Sequence, residues 1–123
     1  MMSASFALDL CHEDLIKVSD IATRDVVALA PRQSLGEGAA VMMTRRISSI
    51  VIVDDANHPI GILTERDMVR AMQGGVAPET WLETVMSAPV ISVPQEMACQ
   101  EAYLLCLREG VRHLVLVDGT GHL

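Results

Sequence analysis

The chain has 123 residues, half of them apolar, and a net charge of −7 from 16 acidic residues against nine basic ones. That length and composition allow one globular domain with a sizeable core, while the acidic surplus and the 2% aromatic content exclude a duplex-binding face and a base-stacking platform. No apolar run reaches the roughly 20 residues of a membrane span, and the N-terminus lacks the basic start of a signal peptide, so the cytoplasm is the expected compartment.

Residues 1–17 read as a helical lead-in, with a short helix at about 10–18. From residue 18 the chain repeats itself. Ile21 corresponds to Val85 at an offset of 64, Pro31 to Pro94 at 63, and Ile47 to Val111 at 64 again. The plainest match sets Ile47-Ser-Ser-Ile-Val-Ile-Val-Asp54 against Val111-Arg-His-Leu-Val-Leu-Val-Asp118. The repeats are therefore placed at 18–76 and 77–123.

In the first repeat the β-branched run Val26–Leu29 predicts a strand that Pro31 stops. Ser34-Leu-Gly-Glu37 is a capping box opening a helix. Ala39, Ala40, Met43 and Ile47 stand at three- and four-residue spacing and predict its apolar face. Ile50–Val53 is a continuous apolar run of strand length, followed by a turn and a further strand, Pro59–Leu63. Thr64–Met72 then reads as a helix ended by Gly74-Gly75. The second repeat follows the same order: a short helix at about 78–86, a strand at Val90–Val93, a helix with Ala98, Ala102, Leu105 and Cys106 on its apolar face, and a strand at Leu114–Val117. It stops at Leu123, where the third strand and last helix of the unit should begin. The bare edge beside Leu114–Val117 would invite pairing with another chain, and the chain is expected to be a piece of a longer protein.

Three cysteines, Cys11, Cys99 and Cys106, form no CxxC pair. Cys99 and Cys106 lie seven apart on one predicted helix, about 10 Å along its axis and beyond disulfide reach, so reduced thiols are expected. His12 and His58 have no second His or Cys at helical spacing, so no metal is expected. The eight methionines read as gap fillers in an aromatic-poor core. No Gly-x-Ser-x-Gly elbow, no GxxxxGK[ST] loop and no cysteine beside a local base is present, so an enzyme is not expected.

The duplicated β-α-β-β-α order, together with Ile-Ser-Ser-Ile-Val-Ile-Val-Asp-Asp at 47–55 and Pro-Ile-Gly-Ile-Leu-Thr-Glu-Arg-Asp at 59–67, resembles the CBS domain pair over residues 18–123. The resemblance implies an α+β fold of two CBS-type repeats related by a pseudo-twofold, with the second repeat truncated. It implies binding of AMP, ADP, ATP or S-adenosylmethionine, with no cofactor required, and control of an attached or partner effector. The resemblance further implies a C-terminal effector domain, of the kind that makes or degrades cyclic dinucleotides in bacteria, although kinases, transporters and dehydrogenases carry such modules too. Association into a homodimer through helix faces such as Met68-Val69-Met72 is the alternative role, a scaffold without ligand.

Thr64-x-x-Asp67 has two readings. Threonine at a helix start with an acid three residues on is a capping box. The resemblance instead implies that Asp67 accepts the two ribose hydroxyls, which a carboxylate can do in bidentate fashion, with Thr64 near the first phosphate. It further implies Val90 and Ile62 around the adenine and Leu63 and Ser48 completing the walls. Arg112, with His113 beside it in the site, and Arg66 would meet the phosphates through their guanidinium forks, helped by the helix-start amides at Glu65 to Asp67. A mirror site built from Val27, Ser48 and Ser49 would need a second Thr-x-x-Asp, which lies beyond Leu123.

Overall fold

The computed structural model describes residues 2–5, 23–24, 26–111, 113–119 and 121. Its strands are β1 (Met2–Ser5), β2 (Thr23–Arg24), β3 (Ala28–Leu29), β4 (Ser49–Val53), β5 (Pro59–Thr64), β6 (Ser92–Pro94) and β7 (His113–Val117). Its helices are α1 (Leu35–Arg45), α2 (Glu65–Gln73), α3 (Leu82–Val85) and α4 (Cys99–Glu109). They group into two compact units, Val27–Val90 and a second made of Met1–Val26 with Ile91–Leu123.

The Val27–Val90 unit has the expected β-α-β-β-α order. β3 runs parallel to β4, and β4 pairs antiparallel with β5. The β4–β5 connection is closed by Asp54, whose Oδ1 accepts the backbone N–H groups of Ala56 (3.0 Å) and His58 (2.9 Å), while Asn57 takes the left-handed conformation at φ 64° that asparagine tolerates in turns. Ile50, Ile52 and Leu63 project from one sheet face onto Leu35, Met42, Ala71 and Leu82 and form the core. Each fully buried side chain of this size stabilises the fold by about 1.5–3 kcal/mol.

The buried stripe of α1 is Leu35, Gly38 and Met42, whereas Met43 is 81% exposed and Ile47 falls outside the helix. The predicted face was thus out of phase. Glycine caused the error: a Cβ on Gly38 would sit 2.9 Å from Leu63 Cδ2 and 3.3 Å from Leu82 Cδ2, so this residue marks where helix and core approach most closely. At the helix start Ser34 Oγ accepts from Glu37 N (3.1 Å) as expected, but the Glu37 carboxylate takes Gln33 Nε2 (2.9 Å) rather than closing the box.

In the second unit β6 runs parallel to β7, and Val93, Ala102, Cys106, Leu114 and Leu116 form the core. The buried positions Leu35, Gly38 and Met42 recur as Cys99, Ala102 and Cys106, 64 residues on in each case. Two expectations are overturned here. Met2–Ser5 is a strand rather than part of a helical lead-in, and it pairs antiparallel with β7, Ser5 opposite His113 and Met2 opposite Leu116. The edge expected to lie bare is therefore covered by the chain's own N-terminus, which is why this segment groups with the second repeat and not the first. Cys99 is disulfide-bonded, against the expectation of reduced thiols, and that support for a cytoplasmic compartment falls away. Cys99 and Cys106 do not pair with each other, in keeping with their spacing, and Cys106 is free and buried. The helix expected at about 10–18 lies outside the described residues, and the one expected at about 78–86 is the single turn of α3.

Candidate functional site

Strand β5 ends at Thr64, and α2 begins there because the threonine hydroxyl can serve the helix amides. Thr64 Oγ1 accepts from Asp67 N at 3.2 Å, and Asp67 Oδ2 accepts in return from Thr64 N at 2.9 Å and from Thr64 Oγ1 at 3.0 Å. The capping box is complete. The remaining oxygen, Oδ1, accepts from Ser87 Oγ at 2.8 Å and from Arg70 Nη1 at 3.4 Å. An ionised carboxylate offers about four acceptor positions, and four donors meet this one. Asp67 is only 3% exposed.

Ser87 owes its position to a backbone clamp. Ile62 and Ser87 exchange N–H···O bonds of 3.0 and 2.9 Å, forming an antiparallel bridge at the free side of β5. Gly61 admits the preceding Met86, whose sulfur occupies the space a Cβ there would need. A further tie joins Glu65 N to Ser48 O at 3.1 Å, fixing the start of α2 to the entry of β4.

The residues expected at the site are thus partly gathered. Ser48, Ile62, Thr64, Arg66 and Asp67 surround the β5–α2 junction, with Ser48 and Arg66 exposed and Ile62 buried. Leu63 does not qualify as a wall: alternation along the strand points it into the core, where it is fully buried. Of the helix-start amides expected to attract an anion, Glu65 N is taken by Ser48 O and Asp67 N by Thr64 Oγ1. The cap, which the resemblance had set behind the ribose role, is what Asp67 forms here. Val90 is half-buried at the end of the unit. His113 opens β7 in the other unit and is half-buried, and Arg112 lies outside the described residues. Sequence reasoning missed Ser87 and Arg70. Arg70 stands three residues after Asp67 on the helix surface, a spacing that signals such pairs, but nothing local marks Ser87, 20 residues away.

An open cleft of about 420 Å³ lies elsewhere in the unit, between Arg32, Ser34, Glu37, Pro78, Glu79 and Trp81. The Arg32 guanidinium stacks 4.9 Å above the Trp81 ring, and the adjacent amides of Leu35 and Gly36 donate to Thr80 O and Pro78 O. Among the described residues no group of His, Cys, Asp and Glu could hold a metal ion, and no helix is long and apolar enough to cross a membrane.

These features define a tandem α+β repeat protein with a Thr-x-x-Asp cap at the end of its first repeat. The CBS domain family model matches residues 18–74 and 82–123, and the chain belongs to that family. An uncharacterized protein of Methanopyrus kandleri is 39% identical over 110 residues, 88% of this chain and 56% of that protein; the chain spans little more than half of this relative. A CBS domain protein from Pyrobaculum aerophilum complexed with AMP superposes with a TM-score of 0.78 at 23% identity, covering 88% of this chain and 83% of that one. A CBS domain pair in complex with 5′-methylthioadenosine and S-adenosyl-L-methionine gives 0.77 at 19% identity, covering 88% and 85%.

Proposed function

We propose that the chain is a regulatory module that binds an adenine nucleotide or other adenosyl compound. Asp67 takes the ribose hydroxyls, Ile62 and Val90 contact the adenine, and Arg66 meets the phosphates. The carrying observation is the buried Asp67 carboxylate in the first turn of α2, whose Oδ1 is held by side-chain donors, Ser87 and Arg70, that a ligand can replace. The ligands of the Pyrobaculum protein and of the second CBS pair, AMP, 5′-methylthioadenosine and S-adenosyl-L-methionine, share an adenosine core and support this class. Occupancy is passed to an attached or partner effector, which requires that the ligand favour one conformation over another, since equal binding shifts nothing.

Thermal melting tests the reading. AMP, ATP or S-adenosylmethionine at a hundred times its dissociation constant stabilises a binding fold by about 2.7 kcal/mol, a shift of several degrees at this size. Asp67→Ala is expected to abolish the shift. No response to any of the three compounds counts against the reading.

One observation favours the alternative of a homodimerisation scaffold. Met43, Val69 and Met72 are 81%, 64% and 81% exposed on the outer faces of α1 and α2, and apolar side chains left to solvent in this number suit an interface.

A further inference from the structure

The Asp67 carboxylate is saturated by donors of the chain itself, so a ligand hydroxyl reaches it only by displacing one of them. The two donors on Oδ2 belong to Thr64, the helix's own cap, and cannot leave without undoing the start of α2. The exchange is therefore confined to Oδ1. There Arg70 is the weaker holder, at 3.4 Å with a side chain 67% exposed, and Ser87 the stronger at 2.8 Å.

We propose that Ser87 is an internal stand-in for a ligand hydroxyl and thereby sets the affinity of the site, an inference that rests on the reading of Asp67 as ribose acceptor. Three observations converge on it. The Ser87 backbone is clamped to Ile62 by two hydrogen bonds, so its hydroxyl is aimed at Oδ1 without any rearrangement of the chain. Residue 87 is itself exposed, so a rotation about χ1 releases the hydroxyl to water while the clamp stays closed. The group displaced and the group arriving are both O–H donors to the same oxygen, so hydrogen bonds are exchanged like for like. Ligand affinity is then reduced by the fraction of time Ser87 occupies Oδ1. Ser87 positions and competes; it makes no contact with the ligand in this scheme.

Removing the hydroxyl has two effects of opposite sign, which a merely structural residue would not produce. The unliganded state loses its best donor on a buried oxygen and becomes less stable. The occupied state, in which Ser87 has already been displaced, loses nothing. Ser87→Ala in the full chain should melt earlier without ligand yet bind AMP, or S-adenosylmethionine, about tenfold more tightly by calorimetric titration, a gain of about 1.4 kcal/mol. Ser87→Cys, which keeps a weak S–H donor, should tighten binding about threefold, and it decides the matter should Ser87→Ala not fold. Equal or weaker binding by these variants beside a binding wild type overturns the stand-in and leaves the ligand reading intact. Binding by none of the three proteins overturns both. Detectable binding only when the serine is replaced supports both.

Discussion

Asp67 and Asp54 show how one residue type does different work according to the donors around it. Asp67 is buried and holds the start of α2 together with the Ser87 segment. Its replacement by alanine removes a helix cap and a bond to the Ser87 hydroxyl, and unfolding in urea should show a loss of about 2 kcal/mol besides the loss of ligand response. Asp54 closes the β4–β5 turn, and the backbone N–H of His58 in the first place, then that of Ala56 and the facing imidazole, hold its carboxyl below the ordinary aspartate value. A carboxyl whose pKa is depressed by folding adds stability above its unfolded pKa and gives it up as the pH falls through the folded one. The wild type should therefore lose this contribution on acidification from about pH 4 downward, and Asp54→Asn should flatten that part of the curve. An NMR titration placing the Asp54 midpoint at or above the ordinary value would contradict the assignment.

Helix and strand identities were legible because their signals are local. The apolar runs at 50–53 and 114–117, the prolines after β3 and at the end of β6, and the Ser34 and Thr64 caps all act within a few residues of themselves. Helix phase was less legible, since Gly38 is buried for its lack of a side chain and carries no hydropathy signal. The C-termini of α1 and α4 offer a direct comparison. Both end in a left-handed residue, Arg46 at φ 53° and Gly110 at φ 68°, and arginine has a Cβ where that conformation is costly by about 1–2 kcal/mol. Arg46→Gly should raise stability by about 1 kcal/mol and the melting temperature by several degrees. Conversely, Gly61→Ala drives a Cβ into Met86 and should lower stability by about 1–3 kcal/mol, loosening the Ser87 clamp with it.

For the molecule as a whole, the repeat offset was legible because the same buried positions recur 64 residues apart, but its bounds were not: the compact units part at Val90/Ile91 rather than at 76/77, and Leu82 packs in the core of the first unit. Two long-range facts were not legible: the pairing of Met2–Ser5 with β7 and the reach of Ser87 to Asp67. Each joins segments whose local sequence carries no sign of the other, and only the assembled sheet brings them into register. If the exposed faces of α1 and α2 form a homodimer, Met72→Glu should halve the mass seen by sedimentation; an unchanged mass places the interface elsewhere or nowhere. The central claim is that a carboxylate in a helix cap doubles as a sugar receptor. Calorimetric titration with AMP beside its 2′,3′-dideoxy analogue tests it most directly. Because each ribose hydroxyl takes the place of a donor already on Oδ1, each nets only about 0.5–1.5 kcal/mol, which predicts that the dideoxy compound binds at least about tenfold more weakly. Equal affinity for the two nucleotides would contradict the account.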